Sequence, residues 1–282
     1  MSRARRYGPP PYRHALVHGG PGAPGMLAPL ARELAAEGHG TGIGTGTGIG
    51  ILEPLQSASS IDGQVEELAD TLRDERSGPW TLIGSSWGAM LAVFTAQRHP
   101  ELIARAVLVG CAPFDPDGGR RTDAARRARM DAAQLEEFER LEIAVGDADP
   151  RTASTATATF ARIADLLLAV DHVNPTVDHL EVIEHQREVF AAVWAEVEQR
   201  RRAGTLLDVG RRLSCPVVVL HGTYDPHPLE GVVEPLRAVA ADLRVHVLEG
   251  CGHLPWIERD ARARFLDVLR DATDPTPGHG SG

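Results

Sequence analysis

Short apolar runs and stretches of helical period alternate along most of the chain. His14-Ala15-Leu16-Val17, Trp80-Thr81-Leu82-Ile83 and Ala106-Val107-Leu108-Val109 read as strands. Pro216-Val217-Val218-Val219-Leu220 is continuously apolar, the pattern of a strand buried on both faces. Leu243 to Leu248 alternates like a half-exposed edge strand, and Ile49 to Leu55 predicts a further short one. Between them, Met26, Leu27, Leu30 and Leu34 predict a helix ending near Gly38. Val65, Leu68, Ala69 and Leu72 follow i, i+3, i+4, i+7 spacing, one apolar helical face with Asp62 placed as its N-cap. This alternation predicts a parallel sheet covered by helices on both faces.

The strand signals stop between Asp115 and Gly210, where the chain is helical in period and dense in charge. Leu180, Ile183, Phe190, Val193 and Val197 suggest an apolar stripe, and Arg120, Arg121, Arg126, Arg127 and Arg129 a solvated basic face. The expected organisation is a core of residues 1–114 and 211–272, an inserted helical lid at 115–210, and a disordered tail at 273–282. Such a lid sits over the carboxyl ends of the strands, where open α/β sheets place ligands. Every even position from Gly38 to Gly50 is glycine. A strict period of two cannot supply the offset of five that G-x-G-x-x-G requires, so this is a repeat expansion and no dinucleotide fingerprint.

Composition narrows the function classes. Apolar residues at 43% and charged residues at 24% describe a globular chain, and a net charge of −10 excludes the usual basic nucleic-acid binder. The cysteines Cys111, Cys215 and Cys251 are few and far apart, suiting a reducing cytoplasm and small core residues, with Cys251 notable for its closeness to His253. Neither a signal peptide nor a membrane span is expected. The histidines and acids at His172, His179, Glu181, Glu184 and His185 have no metal-ligand spacing and read as a solvated helix face.

The chemistry centres on Gly84-Ser85-Ser86-Trp87-Gly88, between an apolar strand and a helix-like stretch. A sharp strand-to-helix turn presents the middle serine at the top of a sheet, beside the unpaired N–H groups of a helix start. Ser86 is therefore the candidate nucleophile. A hydroxyl needs a base and a group that orients the base. His221-Gly222-Thr223-Tyr224-Asp225 follows the buried strand, and Glu249-Gly250-Cys251-Gly252-His253 follows the edge strand. The order Ser86, Asp225, His253 is that of the α/β-hydrolases. Asp115 and Asp117, after the Ala106–Val109 strand, hold the other loop from which an acid could reach His253, although Pro116 and Gly118-Gly119 make them the turn that opens the lid. His18 and His221 read as structural, and the Trp87 ring as a pocket wall.

His18-Gly19-Gly20-Pro21-Gly22 follows the first strand. HGGPG, GSSWG, HGTYD and GCGH in this order resemble the α/β-hydrolase superfamily, most closely its proline iminopeptidase-related branch. The resemblance implies an α/β-hydrolase fold, a mostly parallel sheet with helices on both faces and an inserted helical lid. It also implies that the backbone N–H groups of Gly20 and Trp87 form an oxyanion hole. Two features depart from the branch. The short Arg- and Pro-rich start leaves no room for the strand hairpin that usually precedes HGGPG, and no D-Q-R-G turn follows the next strand. The expected activity is hydrolysis of a small ester or amide, with aminoacyl substrates included, without metal or organic cofactor. The alternatives are a perhydrolase or acyltransferase on the same triad, or a receptor-like module that keeps the fold.

Overall fold

The computed structural model describes residues 3–37, 50–146 and 153–273. Most of the glycine repeat (38–49) and the end of the tail (274–282) lie outside them. The strands are β1 Ala4–Tyr7, β2 Tyr12–Val17, β3 Gly50–Pro54, β4 Trp80–Ser85, β5 Ile103–Val109, β6 Val217–Gly222 and β7 Leu243–Leu248. They form one seven-stranded sheet in the order β1-β3-β2-β4-β5-β6-β7, parallel except where β1 pairs antiparallel with β3. This is an α/β-hydrolase fold. One short strand, β1, precedes the HGGPG strand and pairs with β3, and among the described residues no hairpin stands before it; alternate positions of Ala4-Arg5-Arg6-Tyr7 bury Ala4 while Arg5 and Tyr7 reach the buried Glu53 carboxylate.

The helices are α1 Ala28–Glu37, α2 Ile61–Asp74, α3 Trp87–Arg98, α4 Gly118–Arg129, α5 Ala132–Gly146, α6 Ala153–Asp171, α7 Arg187–Arg202, α8 Glu230–Val239 and α9 Arg262–Thr273. The sheet's period of two divides the core. Leu82, Ala106, Leu108, Val217 and Val219 pack toward α2, α3 and α8, while Ile83, Val107, Val109, Val218 and Leu220 pack toward α1 and α9. Each such Val, Leu or Ile side chain contributes roughly 1.5–3 kcal/mol by leaving water. The N-cap of α2 is Ser60, whose Oγ accepts the Gly63 N–H at 3.1 Å, and not Asp62. Asp62 lies inside the first turn and pairs with Arg98 and Arg200. α9 runs to Thr273, one residue into the expected tail.

Helices α4 to α7 lie between β5 and β6. Their own small core is Met130, Phe138, Leu166 and Val170. The predicted stripe is only partly real. Phe190, Val193 and Val197 lie on α7, with Val193 and Val197 fully buried, but Leu180 and Ile183 fall in irregular chain and Ile183 is 54% exposed. Among the described residues no helix is long and apolar enough to cross a membrane.

Candidate active site

β4 ends at Ser85 and α3 begins at Trp87, so Ser86 is the single residue of the turn. Its φ of 55° and ψ of −116° are unfavourable for a residue with a Cβ. Such strain costs of order 1–3 kcal/mol and persists only where neighbours enforce it. Here the Ser86 N–H donates to Val109 O at 2.9 Å, and the Ser86 carbonyl accepts from Ala89 N at 3.1 Å. A Cβ on Gly88 would lie 2.0 Å from Val17 O, so glycine at 88 is what lets α3 start so close to β2.

β2 delivers the HGGPG turn beside this residue; a Cβ on Gly19 would lie 3.0 Å from that of Ser86. Gly20 has φ +41° and its carbonyl closes a turn with Ala23 N. His18 is fully buried, donates from Nδ1 to Gly19 O at 3.0 Å and accepts at Nε2 from Gln56 N at 3.3 Å. It therefore holds the turn, as expected. The Trp87 ring is not a pocket wall. It is fully buried against Phe94 and Trp194, and its Nε1–H donates to Gln64 Oε1 at 2.7 Å.

The loops after β6 and β7 bring the other two residues together. His253 Nδ1 donates to Asp225 Oδ2 at 3.0 Å, and the Asp225 side chain is completely buried. Burial alone would raise the Asp225 carboxyl, but His253 and His227 outweigh it and hold the group well below the usual carboxylate range. The pair rests on Gly110, directly after β5, where a Cβ would lie 2.9 Å from His253 Nδ1 and 3.0 Å from Asp225 Oδ2. The alternative acids face elsewhere: Asp115 pairs with Arg121 at 2.6 Å and Asp117 with Arg120 at 2.9 Å.

Ser86, His253 and Gly20 line one cavity of about 720 Å³ between the sheet and α4–α7. Much of its wall is apolar, from residues such as Phe138, Leu167, Phe190 and Trp194. The charged side chains on the wall are paired: Arg126 with Asp171 at 2.6 Å, Asp123 and Glu142 with Arg127, Glu198 with Arg201. Arg126 and His172 correct the reading of solvated faces. The Arg126–Asp171 pair is largely buried. His172 is buried too, donates from Nδ1 to Leu168 O at 2.7 Å and accepts the Leu254 N–H at 3.0 Å. The end of α6 thus clamps the loop of His253, whose own N–H donates to Asp171 O at 2.9 Å. Glu258 completes the clamp, its buried carboxylate accepting from the N–H groups of Gly252, Val173 and Asn174 at 2.7–2.9 Å. Cys251 is buried, and burial pushes its thiol up to about 12, so it offers no thiolate beside His253.

The sequence profile described as "Alpha/beta hydrolase family" matches residues 15–268. The chain belongs to the alpha/beta hydrolase family. This hydrolase is 27% identical over 225 residues to the pimeloyl-[acyl-carrier protein] methyl ester esterase of Aromatoleum aromaticum, spanning 73% of this chain and 80% of that protein. Its fold matches VinJ with a TM-score of 0.61, at 21% identity over 95% of this chain and 93% of that one. It also matches the proline iminopeptidase of Mycobacterium smegmatis with a TM-score of 0.53, at 19% identity over 95% and 94% of the two chains.

Two buried histidines of this hydrolase weaken its stability toward acid. Burial pushes His18 and His227 down to about 4. The unfolded chain takes up these protons as pH falls through about 6.5, whereas the folded chain resists until about 4. The unfolded state therefore binds more protons in that window, and stability falls as pH falls. We expect a loss of about 2 kcal/mol per histidine between pH 7.5 and 5. Urea unfolding at the two pH values measures it, and a stability that stays flat contradicts the assignment.

Proposed function

We propose that this alpha/beta hydrolase is a serine-dependent enzyme that cleaves small esters or amides through an acyl-enzyme. One observation carries the reading. A serine forced to positive φ at a strand-to-helix turn shares a cavity with a histidine whose Nδ1 is bonded to a buried carboxylate. Because the Asp225 carboxylate accepts the hydrogen bond from Nδ1–H, a neutral His253 keeps its proton on Nδ1 and leaves Nε2 unprotonated and able to accept the Ser86 proton. Ser86 Oγ then attacks the carbonyl carbon. The backbone N–H groups of Gly20 and Trp87 receive the oxyanion; the Trp87 N–H opens α3 and has no partner within the helix. His253 passes the proton to the leaving group, and water repeats the sequence to release the acid.

Residues 115–210 act as a lid on the core of residues 1–114 and 211–272. The apolar cavity wall and its mutually paired charges favour an uncharged acyl group, and the methyl ester esterase among the relatives supports ester chemistry. The aminoacyl specificity suggested by HGGPG is the weaker expectation, because each carboxylate on the cavity wall already has an arginine partner. Matched p-nitrophenyl esters test this. The hexanoyl ester should exceed the 6-aminohexanoyl ester by at least about tenfold in kcat/KM, the cost of desolvating an unpaired ammonium. Equal or reversed values reject the uncharged-acyl reading.

A further inference from the structure

Asp225 serves two histidines. His253 Nδ1 donates to Oδ2 at 3.0 Å, while His227 donates twice to Oδ1, from its backbone N at 2.9 Å and from its ring Nδ1 at 2.8 Å. The two imidazole rings stand 4.6 Å apart between centroids, and both line the cavity. His221 fixes the second ring's loop from below, donating from Nε2 to the His227 carbonyl at 2.9 Å.

We propose that His227 is a positioning residue for the catalytic acid: its Nδ1–H pins Asp225 Oδ1, so that Oδ2 stays aimed at His253. The inference rests on the triad reading above. An ionised carboxylate only accepts hydrogen bonds, so both Nδ1 atoms must carry protons. With Oδ1 held by two donors from one residue, rotation of the carboxylate about its terminal bond would break both of them. A buried carboxylate released from such donors loses charge-assisted bonds that water cannot replace there. The second ring also has to stay neutral, because the reaction charges His253 and a second imidazolium at that separation would oppose it. Burial does this, pushing His227 down to about 4.

Two substitutions separate positioning by Nδ1 from chemistry at Nε2. His227→Asn keeps a side-chain N–H near the place of Nδ1 and removes the rest of the ring. His227→Phe keeps the ring shape and removes the donor. Steady-state kinetics on p-nitrophenyl hexanoate should give kcat for H227N at least fivefold above that for H227F, with KM for H227F within threefold of the parent. A kcat ratio below five overturns the proposal, as does a loss carried wholly by KM. If H227F does not fold, as judged by its melting transition, His227→Ala takes its place under the same criteria. Asp225→Asn is measured alongside. Full turnover in D225N rejects the triad itself, whereas inactivity in D225N with equal H227N and H227F rejects only the role of His227.

Discussion

Ser86→Ala is expected to lower kcat for ester hydrolysis by roughly 10⁵- to 10⁶-fold, the scale seen when a serine hydrolase loses its nucleophile. The loss is chemical, because the turn is held by backbone contacts that alanine keeps. The Ser86 N–H still reaches Val109 O and the Ser86 carbonyl still caps α3. The φ of 55° also survives, since alanine has the same Cβ. The melting temperature should therefore change little. Ser86→Gly should be equally inactive yet more stable by about 1 kcal/mol, because glycine adopts positive φ without strain. A Gly variant less stable than the Ala variant would mean that the turn is not strained. Activity above a few per cent in either would move the nucleophile away from Ser86.

Asp225→Asn is expected to cost about 10⁴ in kcat, because an amide donates toward His253 and selects the wrong tautomer. Asp115→Asn should cost less than threefold in the same assay. The contrast follows from geometry: Asp225 is completely buried against His253, whereas Asp115 turns to Arg121 on the helical side of its loop. Position 110, directly after β5, is a glycine whose missing side chain makes room for the Asp225–His253 pair. A large loss in D115N together with a small one in D225N would assign the acid to the earlier loop.

The sheet was legible because buried strands and amphipathic helices have different periods. Val217 to Leu220 and Leu243 to Leu248 fall in strands where the pattern puts them. The surroundings of Ser86 were legible because a strand running into a helix through glycines leaves few conformations for the residue between. What failed depended on contacts between distant segments. Arg126 and His172 looked solvated because helical period says which residues share a face, not what that face meets; α4 meets the end of α6 and buries both. Leu180 and Ile183 fit the helical spacing by coincidence, in chain that only begins a helix at Arg187. The Trp87 ring was misplaced because helix α3 is apolar all round and its pocket-facing side is not marked. His227 and Gly110 were not singled out. A histidine two residues past a candidate acid, able to bond back to it as an Asx-type turn, was the available signal for the first. Gly110 gave no local signal.

The central claim is that Ser86 is an activated nucleophile, and covalent capture tests it most directly. The folded protein is treated with a fluorophosphonate probe, digested, and mapped by mass spectrometry. The account predicts a single phosphonylated residue, Ser86, absent in Ser86→Ala and formed at least about a hundredfold more slowly in Asp225→Asn. Labelling at Ser85 or elsewhere, or a parent protein that stays unlabelled while fully folded, would contradict it.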